Sequence, residues 1–168
     1  MVKDTTIVEC VRCSAQTKSG GQCRRTTCKY HKYCYQHAKS IHGLSIKKSR
    51  LPNSGNGLFA EKPFKRGEIV ALYSGEETKE AENDEDKSGY GWTTKKGYIV
   101  DAASTQSGMG RWSNMCRKQN QQSKLCRGNN VIGVTSRNPV KVRFKALKNI
   151  KSGDEIYVSY GRDYFNER

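Results

Sequence analysis

Hydrophobic and polar positions alternate with a period of two along most of the chain after residue 43. The alternation is clearest in three stretches, 44–46, 140–144 and 156–158. A period of two is typical of a strand with one buried face. Turn-forming runs separate the stretches, among them PNSGNG at 52–57, KRG at 65–67 and KSG at 151–153. The pattern therefore predicts a mainly β domain built from many short strands.

The segment before this domain has a different composition. Residues 10–42 contain five cysteines and all three histidines, few large aliphatic residues, and no periodicity of a strand or a helix. Such a segment cannot bury enough apolar surface to fold unaided. We therefore predict a small module over residues 1–42, held together by bound metal, and a second domain over residues 43–168.

The spacing of the cysteines and histidines favours zinc. The pattern C-x2-C-x9-C-x4-C-x5-C-x2-H has a closely spaced pair at each end, and two ligands from one tight turn reach the same ion. The favoured set for one zinc is Cys13, Cys23, Cys34 and His37, with Cys28 as the strongest substitute. A second ion held by Cys10, Cys28, His31 and His42 stays open, and so does the alternative of free buried thiols and surface histidines.

The charge of the chain indicates which kinds of partner it could bind. The 31 Lys and Arg against 16 Asp and Glu give a net charge of +15, which attracts polyanions. Seven of the acids lie between Glu76 and Asp86, where we expect a short exposed helix inside a variable insert over about 76–96. The apolar runs are too short for a membrane span, and the N-terminus lacks a secretory signal. A reducing compartment without a disulfide framework is therefore expected.

Five short motifs occur in a recognisable order in the β region. They are SGNGLFA at 54–60, YSGE at 73–76, YIVDA at 98–102, GRWSNMC at 110–116 and GDEIYVSYGRDYF at 153–165. In this order they resemble the SET-domain protein lysine methyltransferases, in a short form like those of large DNA viruses. The Cys/His segment loosely resembles modules that precede such viral catalytic domains. The resemblance implies a fold of small curved sheets with a knot-like C-terminal segment.

The resemblance also implies a cofactor, S-adenosylmethionine, and roles for particular residues. Tyr160 would lie beside the methyl-transfer site, and Tyr73 would line the lysine channel; both are expected to act in catalysis. The residues expected to bind the cofactor are Gly55, Asn56, Gly57, Leu58, Arg111, Asn114, Met115 and Tyr160. The residues expected to line the substrate channel are Tyr73, Val158, Tyr164 and Phe165.

The chain departs from the family pattern at three places. Met115 stands where the family usually has a histidine that contacts the cofactor. The insertion CRKQNQQSKLCRG lengthens the step from Asn114 to the next asparagine, and for its two cysteines, Cys116 and Cys126, we favour an ordinary thiol pair. Val158 occupies the position of the aromatic residue that often sets product specificity.

These observations support two hypotheses about function. The first is a lysine N-methyltransferase that acts on a basic protein, either a histone or a viral DNA-packaging protein. The alternative is a nonenzymatic nucleic-acid-binding zinc protein with a degenerate SET scaffold, which +15 and Met115 favour. Nucleic-acid contact through the basic surface and a homodimer are left open. Either hypothesis predicts an intracellular protein of the nucleus, a viral factory or a virion.

Overall fold

The computed structural model describes residues 6–79, 88–94, 97–116, 126–136 and 140–161. The N-terminal part contains β1 (Val11–Arg12), β2 (Thr26–Thr27) and helix α1 (Tyr35–His42). The rest contains β3 (Leu44–Lys48), β4 (Asn56–Ala60), β5 (Ile69–Tyr73), β6 (Glu76–Lys79), β7 (Gly91–Thr93), β8 (Tyr98–Asp101), the 3₁₀ helix η1 (Met109–Trp112), β9 (Val131–Ser136) and β10 (Lys141–Ala146).

The strands form small antiparallel sheets. The strand orders are β5-β10-β9, β6-β8-β7, β3-β4 and β1-β2. Strand β10 shows why the period of two predicts these elements, because Val142, Phe144 and Ala146 point into the core while Lys141 and Lys145 are exposed. The prediction of a mainly β domain made of small sheets is confirmed.

One continuous core lies between the sheets. Its most deeply buried side chains come from β3, β4, β10 and residues 147–161, called here the C-terminal segment. They are Leu44, Leu58, Phe144, Ile150 and Ile156. Because strands from distant parts of the chain share this core, residues around 57, 114 and 158 are brought into one region of the molecule.

The C-terminal segment runs between two earlier parts of the chain. Tyr157 forms a parallel bridge with Asn114, and Val158 forms a parallel bridge with Val131. The Val158 N–H also donates to the Asn114 carbonyl at 2.9 Å. This double pairing corresponds to the knot-like C-terminal segment that the resemblance implied, and it sets the position of Tyr160.

The N-terminal segment has more regular structure than its sequence predicts. Helix α1 covers eight residues, and the sequence does not predict it. Ala38 is its one buried residue, so the helix has no repeating apolar stripe that periodicity could reveal. The helix ends at Gly43, whose φ of 67° is left-handed and whose N–H donates to the Lys39 carbonyl. Strand β3 begins at the next residue, and the domain boundary between residues 42 and 43 stays a prediction.

Backbone and side-chain hydrogen bonds attach this segment to the β domain. The Ile7 N–H donates to the Ala103 carbonyl at 3.0 Å, and the Trp112 indole N–H donates to the Lys29 carbonyl at 3.0 Å. The Tyr30 hydroxyl donates to the Ile46 carbonyl at 3.2 Å. The segment therefore packs directly against β3, η1 and the residues that follow β8.

Two other expectations need correction or lie outside the described residues. Glu76–Lys79 form strand β6, paired with β8, so the predicted helix is wrong at these positions; the pairing supplies backbone hydrogen bonds that the sequence does not reveal. Residues 80–87, which carry the rest of the acidic stretch, lie outside the described ranges. Among the described residues, no helix has the length and apolar character needed to cross a membrane.

The cysteines also differ from expectation. Cys10 is bonded to Cys28, and Cys116 is bonded to Cys126. The prediction of no disulfides is therefore wrong, and so is that of an ordinary thiol pair at Cys116 and Cys126. The fold brings together Cys10 and Cys28, which are 18 positions apart in sequence, and Cys116 and Cys126, which are 10 apart. The thiols of Cys13, Cys23 and Cys34 are free and buried.

Candidate active site and metal centre

A cavity of about 790 Å³ opens where four of the five motifs meet, those that contain Gly55, Tyr73, Asn114 and Tyr160. Its walls come from the turn before β4, from β7, from η1 and from the C-terminal segment. The lining residues are Asn53, Ser54, Gly55, Asn56, Tyr73, Gly89, Tyr90, Gly91, Trp92, Thr93, Gly110, Arg111, Trp112, Ser113, Asn114, Phe144, Val158, Ser159, Tyr160 and Gly161. These four motifs therefore come together at a single site in space, and the motif at 98–102 contributes no lining residue.

The glycine turn forms one wall. Gly55 has a φ of 61° and open space around it, so it provides a left-handed turn that leaves room for a ligand. Gly57 and Leu58 are buried in β4 and are not part of the cavity lining, so their role in binding the cofactor stays a prediction. The backbone at Gly57 lies against the Glu155 carboxylate, and Leu58 is fully buried in the core.

Asn114 connects this turn to the C-terminal segment. Its side-chain amide donates to the Asn56 carbonyl at 2.9 Å and to the Glu155 carboxylate at 3.3 Å. Met115 lies behind it, where its sulfur accepts a hydrogen bond of 3.5 Å from the Tyr160 N–H, and it is not part of the cavity lining. Of these two predicted cofactor residues, Asn114 thus faces the cavity and Met115 supports Tyr160.

Arg111 is a buried cation in the cavity wall. Its guanidinium donates to the carbonyls of Ala102 at 2.8 Å and Ala103 at 3.3 Å. The rings of Tyr90 and Trp112 lie 4.5 Å and 4.3 Å from its central carbon. Burial lowers the pKa of Arg111 below its usual value. These contacts hold η1, which carries Arg111, against the residues that follow β8.

Three aromatic rings line the inner part of the cavity. Tyr73 and Phe144 are buried, and the Trp92 ring lies 5.5 Å from Tyr73 and 5.4 Å from Phe144. The Tyr73 hydroxyl donates to the Tyr90 carbonyl. Val158 also lines the cavity. The predicted channel residues Tyr73 and Val158 therefore lie together, while Tyr164 and Phe165 lie outside the described residues.

Tyr160 lies at the end of the C-terminal segment and faces the cavity. Its hydroxyl donates to the Ser113 carbonyl at 2.8 Å. A hydroxyl that donates one hydrogen bond also has lone pairs that accept others. Tyr160 therefore presents an oriented oxygen to the same cavity that Tyr73 and Val158 line.

Sequence reasoning missed four residues of this region. Tyr90, Trp92 and Phe144 supply aromatic surface, and the buried carboxylate of Glu155 accepts the Asn114 amide. The aromatic residues give a signal in GYGWTT and in the alternating strand around Phe144. Glu155 gives a weaker one, since an acid beside the strand of the last motif is ordinarily exposed.

A second site lies in the N-terminal segment. Ligand atoms of Cys13, Cys23, Cys34 and His37 all lie within 4.8 Å of one another. His37 Nδ1 is 3.4 Å from the Cys13 sulfur and 3.3 Å from the Cys34 sulfur. A tetrahedral zinc with Zn–S near 2.3 Å and Zn–N near 2.0 Å requires about 3.5 to 3.8 Å between ligand atoms. Three buried thiols and one imidazole at this spacing fit zinc.

The pKa values of two of these thiols are shifted in opposite directions. Burial alone would raise the pKa of Cys13, but hydrogen bonds from the Cys34 and Ala15 N–H groups and from His37 lower it to about 7. Burial, together with the nearby Cys13 sulfur, raises the pKa of Cys34. The Cys13 thiol therefore loses its proton near neutral pH, and the thiolate is the form that binds a metal.

The other metal candidates lie elsewhere. The prediction of Cys28 as a substitute ligand is wrong, because its sulfur is bonded to Cys10. The same bond leaves neither cysteine as a thiolate for the second ion. His31 Nδ1 contacts the Gln106 carbonyl. The His42 ring packs 5.3 Å from Tyr33, and burial lowers its pKa.

The site defines a class of protein. The profile of the SET domain matches residues 55–161, well over half of the chain. The chain therefore belongs to the SET domain family.

Two curated relatives share this sequence similarity. The chain is 30% identical over 126 residues to the histone-lysine N-methyltransferase set-17 of Caenorhabditis elegans, covering 73% of this chain and 42% of that protein. It is 29% identical over 133 residues to the histone-lysine N-methyltransferase EZH2 of Chaetomium thermophilum, covering 71% of this chain and 8% of that protein. The chain thus spans less than half the length of either relative.

Solved structures agree with this assignment. A humanized mutant of the Chaetomium thermophilum Polycomb Repressive Complex 2 bound to the inhibitor GSK126 matches with a TM-score of 0.57 and 29% identity, over 73% of this chain and 15% of that chain. The same complex in an autoinhibited conformation bound to S-adenosylmethionine matches with a TM-score of 0.56 and 28% identity, over 74% and 16%.

Proposed function

We propose that this chain is an S-adenosylmethionine-dependent protein lysine N-methyltransferase. The observation that carries the proposal is the single cavity in which Asn114, Tyr160 and the aromatic rings of Tyr73 and Trp92 meet. Membership of the SET domain family and similarity to histone-lysine methyltransferases support it.

The cavity wall has polar groups that fit a polar cofactor. In the described part of the chain, one guanidinium nitrogen of Arg111 and the hydroxyl of Ser113 are buried without a hydrogen-bond partner. Both residues line the cavity beside Asn114. Since a buried polar group without a partner costs about 1 to 3 kcal/mol, a polar ligand at this wall would restore part of that energy. Gly55, with open space beside it, leaves the backbone accessible to the same ligand.

The aromatic residues would receive the lysine side chain. A lysine amine must be neutral to act as a nucleophile, yet its ordinary pKa is about 10.4. The rings of Tyr73, Trp92 and Phe144 would cover the aliphatic stem and exclude water, which disfavours the charged amine. S-adenosylmethionine, when bound, supplies an electrophilic methyl group on a sulfonium.

Tyr160 would orient the amine. Its hydroxyl hydrogen is held by the Ser113 carbonyl, so its oxygen lone pairs are the acceptor presented to a substrate N–H. The contribution is mainly one of positioning the nucleophile for in-line displacement, rather than of strong acid or base chemistry. The lysine ammonium would lose its proton to solvent before transfer, because only the neutral amine has the lone pair that forms the new C–N bond.

The proposed substrate is a basic protein, a histone or a viral DNA-packaging protein. Two curated relatives are named as histone-lysine methyltransferases. An acidic stretch in an otherwise basic chain is the segment with the charge needed to attract such a substrate. The place of action would be the nucleus, or a viral factory or virion where such a protein packages DNA.

Methyl transfer is the direct test. The protein is incubated with isotopically labelled S-adenosylmethionine and separate basic proteins, and the products are analysed by mass spectrometry. Label on lysine side chains supports the proposal and shows how many methyl groups are added. Tight binding of the cofactor without transfer to histones or other basic proteins would contradict it.

A nonenzymatic nucleic-acid-binding protein is the second candidate. The observations that favour it are the net charge of +15 and the absence of histidine at Met115. It predicts tight DNA or RNA binding that weakens steeply with salt and ignores S-adenosylmethionine. Measuring both activities on one preparation separates the two functions.

We also propose a structural zinc ion at Cys13, Cys23, Cys34 and His37. The fit of the donor set supports it. The ion would couple helix α1, which carries His37, to the loops that carry the cysteines, and so stabilise a segment without a large core. Metal analysis of the purified protein should find zinc at one or more equivalents per chain.

A further inference from the structure

Glu155 is a buried carboxylate next to the candidate cofactor site. Only 2% of its surface is exposed. Among the described residues, the ion pairs are those of Glu61 with Lys39 and Lys47, so Glu155 has no cationic partner there. A buried charge without a counter-ion is retained only where hydrogen bonds satisfy it.

Four donors surround this carboxylate. One oxygen accepts hydrogen bonds from the Ser49 hydroxyl at 2.6 Å and the Asn114 amide at 3.3 Å. The other oxygen accepts from the Arg50 N–H and the Tyr157 hydroxyl, both at 2.8 Å. Burial, and next the hydrogen bond to Glu155, raise the pKa of Tyr157. The two oxygens therefore have distinct surroundings, and one of them faces Asn114.

The oxygen that faces Asn114 also lies against the glycine turn. A side chain at Gly57 would overlap this same oxygen. Asn114 donates its second hydrogen bond to the Asn56 carbonyl, so Glu155, Asn114 and the backbone of residues 56–57 form one connected unit. The mechanism does not otherwise use this carboxylate.

We propose that Glu155 is a positioning residue for the cofactor site, and this inference rests on the proposed methyltransferase function. Its carboxylate holds the Asn114 amide against Asn56 and thereby fixes the separation between two walls of the cavity. It does not touch the cavity itself. Replacing Glu155 should therefore weaken cofactor binding without removing any group that reaches the ligand.

The test compares substitutions at the two ends of the carboxylate. Glu155→Gln keeps the shape of the side chain but replaces one acceptor oxygen by an NH₂ group. Each oxygen of Glu155 accepts from two donors, so the new NH₂ group would face two groups that also donate. Ser49→Ala is a milder change at the oxygen that faces Asn114. Tyr157→Phe is the matched control, because it removes one hydroxyl donor from the opposite oxygen.

Cofactor affinity is measured by calorimetry, and stability by urea unfolding. We expect Glu155→Gln to raise the Kd for S-adenosylmethionine ~10-fold or more, since hydrogen bonds to a charged group are among the strong ones. Ser49→Ala should raise it to a smaller extent, and Tyr157→Phe should leave it within twofold while lowering stability. At saturating cofactor, the kcat of Glu155→Gln should stay near that of the parent. If Glu155→Gln does not fold, Ser49→Ala against Tyr157→Phe decides.

Hydrogen exchange without cofactor gives a readout that does not depend on enzyme activity. Exchange at residues 56–57 should be faster in Glu155→Gln and Ser49→Ala than in Tyr157→Phe at equal global stability. Equal Kd values and equal exchange across the variants would overturn the inference and leave Glu155 as a stability residue only. A parent protein that binds no cofactor would instead contradict the proposed function, while the exchange comparison would still decide the role of Glu155.

Discussion

The hydroxyl of Tyr160 donates a hydrogen bond of 2.8 Å to the backbone carbonyl of Ser113. This bond connects the C-terminal segment to the residue that directly follows η1, across 47 positions of sequence. Tyr160 and Asn114 both line the cavity. The bond therefore joins the last motif, which contains Tyr160, to the motif at 110–116, which contains Ser113.

Removing this hydroxyl should affect rate more than binding. Tyr160→Phe keeps the ring and deletes the oxygen that would orient the amine, and losing such a positioning contact costs ~10²-fold or more in kcat. The Kd for S-adenosylmethionine should change little. Steady-state kinetics with a basic peptide and calorimetry with the cofactor measure the two effects.

Tyr30→Phe is the matched control for this change. It also removes a tyrosine hydroxyl that donates to a backbone carbonyl, that of Ile46, but Tyr30 is not part of the cavity lining. Its kcat should stay near the parent value. Equal losses in the two variants, or parental activity of Tyr160→Phe, would show that the Tyr160 hydroxyl does not orient the substrate amine.

Gly133 leaves the space that the Trp92 ring occupies in the cavity wall. A side chain at Gly133 would overlap the Trp92 indole, which packs against Tyr73 and Phe144. Gly133→Ala should therefore displace the ring, destabilise the fold by about 1 to 3 kcal/mol and lower methyl transfer. Gly21→Ala is the control, since its nearest neighbour would be the Thr17 hydroxyl at an ordinary 3.9 Å. Tm and kcat/KM measure both effects, and parental values for Gly133→Ala would refute this role of the glycine.

The sequence predicts the strands and the order of the site segments well, because both depend on local patterns. The alternation in β10 decides which face is buried, and the motifs around Gly55, Asn114 and Tyr160 carry their own turn and strand signals. These residues line one cavity because the core brings their segments together.

The contacts that the sequence cannot predict are those between distant segments. Trp92 lines the cavity because Gly133, 41 positions later, leaves space for its ring. Glu155 is buried because Ser49 and Asn114 supply donors from two other segments. The pairing of Cys10 with Cys28 likewise depends on backbone positions that spacing alone does not fix.

The acidic stretch should attract the basic substrate. Glu76 and Glu77 are exposed in β6, beside β8, and the remaining acids lie outside the described residues. Replacing Glu80, Glu82, Asp84, Glu85 and Asp86 by their amides should raise KM for a basic peptide with little change in kcat. The difference should shrink with added salt, since the screening length is about 8 Å at physiological ionic strength. An unchanged KM at low salt would contradict this role.

Glu61 should make stability depend on pH in the acid range. Its carboxylate pairs with Lys47 at 2.5 Å and Lys39 at 2.9 Å and accepts from the Ser45 hydroxyl at 2.5 Å. The hydrogen bond from Lys47, followed by those from Ser45 and Lys39, lowers its pKa from 4.5 to about 2. Because the folded-state pKa is depressed, the stabilisation is complete above about pH 5 and is lost as the pH falls towards 2.

The matching variant is Glu61→Gln. After allowance for the solvent exposure of both lysines, the pairs contribute about 1 to 3 kcal/mol at neutral pH. Urea unfolding at pH 6 should show this difference between parent and variant, and at pH 3 the difference should be smaller. A difference that stays constant from pH 6 to pH 3 would show that the charge of Glu61 is not its source.

Removing the metal should unfold the N-terminal segment before the β domain. The three buried thiols and His37 are the main structural centre of this segment, since the small cluster around them contains Ala15 as its one buried non-cysteine residue. A chelator should therefore speed hydrogen exchange across residues 10–42 and leave the core around Phe144 protected. Cys34→Ser should lower the zinc content and Tm together. Cys28→Ser is the control, because it breaks the bond to Cys10 but keeps all four proposed ligands, so its zinc content should equal that of the parent. An ordered segment in protein shown to be free of zinc would refute the metal site.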